Sequence, residues 1–553
     1  MLHLRWVVAL AVVDALVGPG VAVPRRLEAR GRRFVGPRSV GVAAASSFRQ
    51  EWWSGASSRS DPLAALDEAC LGLEEVLGCA AGEHVLTFCF LTRGFIDAVP
   101  SVSRALEVKL GGHAHTAVTV VGGGVIAGVG DEREDGVASE EKMVTELAEG
   151  AAPGVSILCG VLPRGSGVTS RAFGMGRAPP PKKDREAWRA AFGADDDYNP
   201  VRGFFLFADP QSRWLQRSFK ALDAHFPAAL KVGGLSAPLD EERPSLALNG
   251  EAVDFGTCLA LALQGPRVRL DAIVSQGCAA VGETYTVTAV EQGQVLVELD
   301  DAPAFSAVET TGQAATDREK MLMESQLLVG LRPAVADRES KAKAARGRQQ
   351  GTGAADDLDD EEEEEVDWLV RQVIGLVPTV NRRLDWSYRL TAIDMRAGND
   401  KPGLAIGAEV QPGDMLRFHV RDAQAADDDL KLQFRRYAVE RQFAGGAKTV
   451  GKPRAAVMFQ CIGRGSGMFG KTGHDSAAFG DEFGDFVALG GFFANGEIGP
   501  LGAITGGAQK VDPARRETHQ HEYTTVVALI SSLDDVADGD DDGDKAAAVA
   551  PAA

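Results

Sequence analysis

The chain of 553 residues has few cysteines, no excess of positive charge and no long apolar run in its body. Its seven cysteines are widely spaced and form no C-x-x-C pair, which excludes a disulfide-stapled scaffold. Lys and Arg number 58 against 78 Asp and Glu, and the net charge of −20 argues against nucleic-acid binding, because phosphate contacts need a basic surface. A membrane-spanning helix needs roughly 20 continuous apolar residues. We therefore predict no membrane span in the mature protein.

What remains is an ordinary globular composition, 45% hydrophobic and 25% charged, with enough chain for two domains or more. The negative charge is concentrated: residues 356–365 carry −9 and residues 534–545 carry −6. Blocks of like charge repel one another and stay solvated. The pattern predicts a disordered acidic insertion over residues 334–365 and a disordered acidic, Ala-rich tail over residues 533–553.

The N-terminus has the composition of a targeting leader. Residues 1–22 contain an early Arg5, an apolar stretch and a small-x-small site ending at Ala22, which predicts a signal peptide. Residues 23–46 are rich in Arg and then in small and hydroxyl residues, which is typical of a transit peptide. The combination resembles the bipartite leaders of plastids reached through the secretory pathway. We expect a plastid (chloroplast) location, with secretion and mitochondrial import as the alternatives.

Short apolar runs alternate irregularly with helical patterns, which predicts an α+β (mixed α/β) fold. Alternating residues about Gln292-Gly293 predict a hairpin over 285–299. The other predicted strands cover residues 85–91, 117–121, 155–162, 204–207, 258–263, 272–275, 415–420, 455–461 and 523–530. The predicted helices cover 62–77, 212–225 and 317–328, the first with Asp61 as its N-cap. An apolar-Gly-Gly element recurs at residues 121–125, 231–235 and 489–492, and two related halves would explain this repeat.

Three motifs bear on chemistry. Residues 465–472 read GSGMFGKT, a literal phosphate-binding pattern. A P-loop must open a helix directly, whereas Asp475 or Ser476 is the expected N-cap here, so nucleotide binding is kept only as an alternative. The two H-x-H pairs, at residues 113/115 and 519/521, lack a third ligand at metal spacing. No G-x-S-x-G elbow occurs. We therefore predict no catalytic set and no metal site.

The order of several motifs is specific. The segment DAIVSQGC at 271–278 precedes the predicted hairpin, CIGRGSGMFG follows at 461–470, GGFFANGEIGP at 490–500 and THQHEYT at 518–524. In this order they resemble the FIST family (F-box and intracellular signal transduction), whose members have N-terminal and C-terminal modules. The resemblance implies modules at 47–266 and 267–532, each with β-sheet layers flanked by helices. We find no F-box-like leucine-rich helical segment upstream, so the chain resembles a stand-alone plant, algal or bacterial-type member.

The resemblance implies a sensory, non-catalytic protein that binds a small polar ligand such as an amino acid. Polar and glycine residues cluster at the ends of apolar strands, and we therefore predict these ligand-binding residues: Gly277, Cys278, Cys461, Gly463, Arg464, Gly465, Asn495, Gly496, Glu497 and Gly499. Arg464 could contact an anion through its fork of donors, or it could pair with an internal carboxylate. Asn495 and Glu497 could hold an amine.

Besides nucleotide binding, two further alternatives to this function stay open at the level of sequence. The first is a thiol-dependent enzyme that uses Cys278 or Cys461. The second is a haem-binding gas sensor, although no cofactor is predicted. The family often has Cys at the position of Val121 and a polar residue at that of Ile462, so the preferred ligand is not specified. The sequence names no protein partner.

Overall fold

The structure, a computed structural model, describes residues 51–128, 144–147, 153–174, 176–194, 199–238, 243–333, 368–377, 402–444, 450–484, 487–504 and 516–533. The predicted signal peptide, transit segment and acidic insertion lie outside these residues, as does the acidic tail beyond Leu533. In the part of the chain that is described, every helix falls short of the length and apolarity needed to cross a bilayer.

The strands and helices are numbered in chain order. The strands are β1 (Trp52–Ser57), β2 (Val85–Thr92), β3 (His115–Gly122), β4 (Val125–Gly128), β5 (Val144–Leu147), β6 (Val155–Val161), β7 (Gly167–Phe173), β8 (Val201–Ala208), β9 (Leu230–Leu235), β10 (Leu246–Leu248), β11 (Glu251–Ala252), β12 (Cys258–Gln264), β13 (Val268–Gln276), β14 (Cys278–Glu291), β15 (Val295–Leu299), β16 (Ala302–Pro303), β17 (Leu327–Arg332), β18 (Leu369–Val377), β19 (Gly403–Ile406), β20 (Met415–Arg421), β21 (Lys452–Cys461), β22 (Ala488–Ala494), β23 (Glu497–Gly499), β24 (His519–His521) and β25 (Thr524–Ser532). The helices are α1 (Pro62–Ala69), α2 (Leu73–Cys79), α3 (Val99–Leu110), α4 (Arg185–Ala191), α5 (Leu215–His225), α6 (Ala304–Ala314), α7 (Asp317–Ser325), α8 (Ala423–Phe443), α9 (Ser466–Phe469) and α10 (His474–Phe483).

Three sheets are built on one repeated unit. In the first unit β2 and β3 are parallel and joined through α3, with β6 antiparallel on the other side of β2. The second unit has β8, α5, β9 and β12 in the same arrangement. The third has β21, α10, β22 and β25. The predicted α+β fold is confirmed, and the Gly-Gly repeat belongs to three related units where the sequence suggested two halves.

The three units exchange strands in a cycle. The strand that follows each Gly-Gly strand pairs with another unit: β4 pairs with β22, β23 with β9, and β10 with β3. The glycines permit the close backbone approach, because a Cβ at Gly233 would lie 1.8 Å from the Leu206 carbonyl oxygen and one at Gly491 would lie 2.1 Å from the Met458 carbonyl oxygen. Strands of the two predicted modules therefore lie in the same sheets.

Aromatic side chains from all three units fill the space between the sheets. Phe88 of the first unit packs 5.1 Å from Phe205 of the second, and Phe207 packs 5.9 Å from Phe459 of the third, measured between ring centroids. These rings are buried. Burying each one stabilises the fold by about 1.5–3 kcal/mol. Helices cover the outer faces: α1 to α3 on the first unit, α4 and α5 on the second, and α8 and α10 on the third.

A closed barrel is inserted between β13 and α8. Its six antiparallel strands run in the order β14, β20, β17, β18, β19 and β15, and pairing between β14 and β15 closes it. The predicted hairpin over 285–299 is confirmed as β14 and β15. Gln292 and Gly293 both have positive φ, as a tight hairpin turn requires. The barrel places the start of β14 and the end of β20 beside the third unit.

Three predictions about helices need correction. The predicted helix 62–77 is two helices, because Gly72 between them lies against Trp53, where a Cβ would come within 2.5 Å of the indole ring. The predicted helix 317–328 ends at Ser325, since the buried residues that follow belong to β17. The N-cap of α10 is Gly473, not Asp475 or Ser476. The predicted cap Asp61 is confirmed, its carboxylate accepting the Ala64 N–H at 2.8 Å.

Candidate functional site

Six of the predicted site residues meet where the third unit joins the barrel. Gly277 and Cys278 connect β13 to β14, Cys461 ends β21, Gly463 and Arg464 form the following 3-10 turn, and Glu497 begins β23. The Gly277 N–H donates to the Tyr523 carbonyl at 3.1 Å, which holds the two loops together. We call the buried polar cluster the set of Cys278, Arg421, Cys461, Arg464, Glu497, Glu522 and Tyr523. Arg464 and Glu497 are its fully buried members, and the other five are half-buried.

Arg464 is fully buried and paired with a carboxylate. Its Nε and Nη2 donate to the two oxygens of Asp475 at 2.8 and 3.2 Å. Burial alone would raise the pKa of Asp475, but the charge of Arg464, with hydrogen bonds from His474, Arg464 and Thr525, lowers it to about 2. The donor fork of Arg464 is therefore occupied, and the internal carboxylate that the sequence left as an alternative is Asp475. Only Nη1 has no acceptor among the described residues.

Glu497, the other fully buried member, accepts hydrogen bonds from Thr524. Its Oε2 accepts the Thr524 N–H at 3.2 Å and the Thr524 hydroxyl at 2.7 Å, while Oε1 accepts no hydrogen bond in the described structure. Burial raises the pKa of Glu497 to about 8, despite the opposing bonds from Thr524 and the Cys461 thiol. The carboxyl group is thus mostly protonated at neutral pH.

Both cysteines of the cluster are poor nucleophiles. Burial raises the pKa of the Cys278 thiol to about 12, although Arg421 and Arg464 oppose this rise. Burial, and then the nearby Glu497 carboxyl, raise the pKa of the Cys461 thiol well above its usual range. Because the thiolate is the reactive form, this arrangement does not support the thiol-dependent enzyme.

Two charged members of the cluster were missed from the sequence. Arg421 ends barrel strand β20, its guanidinium lies 5.4 Å from the centre of the Tyr523 ring, and its Nε has no acceptor among the described residues. Glu522 has an Oε2 without a donor in the same part of the chain. Glu522 lies within the THQHEYT motif, which could have indicated it. The sequence around Arg421 carries no comparable signal.

Backbone geometry explains the glycines of the cluster. A Cβ at Gly277 would lie 2.8 Å from Arg464 Nη1 and 2.7 Å from the Tyr523 carbonyl, and a Cβ at Gly463 would lie 2.8 Å from Arg421 Nη2. Only glycine lets both guanidinium groups approach the loops this closely. Tyr523 has φ of +62°, which is strained for a bulky residue and is typical of functional sites.

The four remaining predicted residues make other contacts. Asn495 and Gly496 form a turn whose backbone exchanges hydrogen bonds with Leu235 of the second unit, at 3.0 and 2.8 Å. The Gly499 carbonyl faces the buried His521 ring at 3.2 Å. Gly465 precedes α9 in an extended conformation. The described contacts of Asn495 and Gly496 thus belong to the strand exchange between units, and those of Gly499 belong to the pairing of β23 with β24.

The phosphate-binding pattern at 465–472 does not form a P-loop. It contains the four-residue α9, followed by Gly470 and Gly473 in the left-handed conformation, so no helix opens at its Lys-Thr pair. Lys471 lines a surface cleft of about 270 Å³ between α8 and α10. In this cleft His474 stacks 3.7 Å from Phe469 and its ring nitrogens lie 3.1 Å from Asp427 and 2.9 Å from Asp475. The cleft is thus connected to the cluster through Asp475.

One histidine of each H-x-H pair is held by contacts within the protein. His521 Nε2 lies 2.9 Å from the Pro500 carbonyl, and His115 Nε2 lies 2.8 Å from Glu107. Among the described residues no group of three Cys, His, Asp or Glu side chains has the geometry of a metal site.

Comparison with known proteins finds matches in the N-terminal and in the C-terminal half of the chain. A family model of the FIST N domain matches residues 59–302, and one of the FIST C domain matches residues 359–500. An uncharacterized protein of Mycobacterium tuberculosis is 30% identical over 296 residues, 54% of this chain and 63% of the relative. An uncharacterized protein of Mycobacterium bovis is 29% identical over 236 residues, 43% of this chain and 47% of the relative. F-box only protein 22 of Homo sapiens is 39% identical over 75 residues, 13% of this chain and 19% of that protein. The chain thus spans less than two thirds of these relatives.

Proposed function

This chain belongs to the FIST family, whose domains are associated with signal transduction, and we propose that it is a sensory protein that binds a small polar ligand at the buried polar cluster. The observation that carries the proposal is a set of buried polar atoms without partners in the described structure: Arg464 Nη1, Arg421 Nε, Glu497 Oε1 and Glu522 Oε2. Buried polar atoms are nearly always hydrogen-bonded. Two guanidinium donors and two carboxyl oxygens close together therefore favour a ligand that offers both hydrogen-bond acceptors and donors.

The other two units serve as an internal comparison. In the second unit, Asp209 follows the corresponding strand β8, and it accepts the Gln211 N–H at 2.9 Å and the Ser245 hydroxyl at 3.4 Å. In the first unit, Arg93 follows β2 and donates to the Ala237 carbonyl at 2.8 Å. Of these three strand ends, the end of β21 in the third unit is the one where we observe charged side chains with unused hydrogen-bonding atoms.

The chemistry of the cluster fits an amino acid or a similar metabolite. The two arginines suit a carboxylate, and the two glutamates suit an amine. Since Glu497 is mostly protonated without a ligand, a bound ammonium group would favour its ionised form and release a proton. We infer no catalytic step, because both thiols of the cluster stay protonated.

A thermal-shift screen of the full chain tests the proposal. The screen compares amino acids, nucleotides with Mg²⁺, and haem. A ligand at 100 times its Kd stabilises a protein by about 2.7 kcal/mol. We expect the shift caused by an amino acid to be lost in Arg421→Gln and in Glu522→Gln, and kept in the control Lys471→Ala. An unchanged shift in both cluster variants would refute the site. A Mg-nucleotide shift lost in the control would favour the nucleotide alternative, and a Soret band after haem titration would favour the gas sensor.

We also propose that residues 1–46 direct the protein to the plastid. The support is the signal-like stretch followed by an Arg-rich segment. Fusing these residues to a fluorescent protein in an algal cell tests the leader. Fluorescence in the medium or in mitochondria would contradict a plastid address.

A further inference from the structure

Exposed cationic side chains lie together on the outer helices of the second unit. Arg217 and Lys220 share the exposed face of α5, and Ala224 follows on the same face one turn later. Ala224 also lines a surface cleft of about 640 Å³, whose other walls come from His225 and from the chain that enters α4. We call the cationic band the exposed side chains of the cleft and of the neighbouring part of α5: Lys182, Lys183, Arg185, Arg213, Arg217 and Lys220.

Contacts within the second unit hold both ends of the cationic band. At one end, the guanidinium groups of Arg213 and Arg217 lie 4.9 and 5.6 Å from the centre of the Trp214 ring. An arginine stacked on an aromatic ring keeps its charge and its N–H donors. At the other end, His225 Nε2 lies 2.8 Å from the Lys182 carbonyl oxygen, which ties the wall of the cleft to α5. The cations are therefore presented by one packed substructure.

The positive charge of the band is largely uncompensated. In the part of the chain that the structure describes, none of its six side chains forms an ion pair. The neighbouring Asp184 caps α4 by accepting the Ala187 N–H at 2.9 Å, and Asp223 pairs with the buried Lys231 at 3.0 Å. Six cations less Asp184 and the exposed Glu186 leave a charge of +4. Such a local potential attracts anions even though the chain as a whole is acidic.

The surroundings of the band distinguish among anionic partners. A lipid surface is held by exposed apolar anchors as well as by charge, and the exposed large hydrophobic side chains of the described residues all lie outside residues 176–225. Single-stranded nucleic acid stacks its bases on open aromatic rings, whereas the half-buried Trp214 already contacts two arginines. Carboxylates need neither feature, and they match the donor forks of arginine. We propose that the cationic band docks an Asp- and Glu-rich segment of a partner protein.

The spacing of the band suits an extended acidic segment. Side chains on one face of an extended chain repeat about every 6.8 Å, and one turn of α5 rises about 5.4 Å. Successive carboxylates can therefore meet successive cations from Arg213 to Lys220 and continue into the cleft. Because all six cations are exposed, we expect the interaction to be lost at about 1 M salt, where the Debye length is about 3 Å.

Fluorescence anisotropy of a labelled peptide of about twelve glutamates, titrated with the full chain at low salt, tests the proposal. One double variant reverses charge in the cleft, Lys182→Glu with Lys183→Glu, and another reverses it on α5, Arg217→Glu with Lys220→Glu. The matched control, Arg104→Glu with Lys471→Glu, makes the same change in net charge at exposed positions of the first and third units. We expect each band variant to raise the Kd about tenfold or more and the control to change it less than about twofold.

Four results would overturn the proposal. They are no binding of the peptide at low salt, equal Kd values for the band variants and the control, an effect of only one of the two band variants, and tighter binding of single-stranded DNA of the same length with the same dependence on the band. The third result would separate the cleft from α5, and the fourth would assign the surface to nucleic acid. Melting temperatures verify that the variants are folded. Where a Glu variant melts earlier than the native chain, the corresponding Gln variant replaces it.

Discussion

The ion pair between Arg464 and Asp475 should be the strongest single polar interaction in the third unit. Both side chains have no exposed surface, and their two hydrogen bonds of 2.8 and 3.2 Å are charge-assisted. Asp475 has its pKa lowered from 3.8 to about 2. At about 1.4 kcal/mol per pKa unit, the fold favours the ionised carboxylate by roughly 2 kcal/mol despite its burial.

Removing one partner should cost more than this amount. Arg464→Met leaves the Asp475 carboxylate buried with His474 and Thr525 as its remaining side-chain partners in the described structure. Asp475→Asn leaves a buried guanidinium without a counter-charge. Breaking a buried pair in this way costs about 3–5 kcal/mol. We expect each single variant to lose about that much free energy of unfolding, and the double variant to lose less than the sum by about 3 kcal/mol, because it leaves no uncompensated charge.

Urea unfolding of the full chain, followed by circular dichroism, measures these changes. Arg464→Lys is the matched control, since it keeps the positive charge but cannot make the bidentate pair of hydrogen bonds to Asp475. If both single variants cost under about 1 kcal/mol and their effects add, the pair contributes no more than a surface salt bridge. Arg464 would then be better understood as a ligand contact than as a structural ion pair.

Three further predictions concern the cluster. Glu497→Gln should gain stability relative to the native chain as pH rises from about 4.5 towards 8. The reason is that a carboxyl whose pKa is raised in the folded state lowers the free energy of unfolding progressively over that pH range. Equal melting curves of the two forms across the range would contradict the burial of Glu497. Gly277→Ala should lower the free energy of unfolding by about 1–3 kcal/mol and weaken ligand binding. The control Gly467→Ala has open space around its Cβ and should change neither quantity. Unfolding and thermal-shift measurements on both variants test this. Iodoacetamide at neutral pH should label the half-buried Cys79 before Cys461, and mass spectrometry showing the reverse order would reopen the enzyme alternative.

The strands were largely predictable because each buries a short apolar run. The run at 85–91 is confirmed as β2, which is buried along its whole length, and the hairpin about Gln292-Gly293 carries its own turn signal. The exchange among units was not predictable. It pairs β4 with β22 and β23 with β9, across more than 250 residues of sequence, and local patterns carry no information about such pairing.

The site was predictable only in part for the same reason. Gly277 follows an apolar strand, Cys461 ends one and Glu497 begins one, so their motifs mark strand ends that meet in space. Arg421 joins them only because the barrel closes. Asn495 shares the motif of Glu497 but faces the second unit, since the turn at Gly496 carries the chain across to β9.

The barrel explains why the third unit alone has the cluster. In that unit the chain leaves β13 at Gly277, enters the barrel at Cys278 and reaches the end of β20 at Arg421, directly opposite Cys278 in the β14–β20 pairing. One side of the cluster therefore belongs to the barrel, through Cys278 and Arg421, and the other to the third unit, through Arg464 and Glu497. A ligand held by Arg421 and Glu497 together would link these two parts. A ligand shifts a conformational equilibrium only if it binds the two states with different affinity. We therefore expect ligand binding to be transmitted to the rest of the protein through the position of the barrel against the third unit.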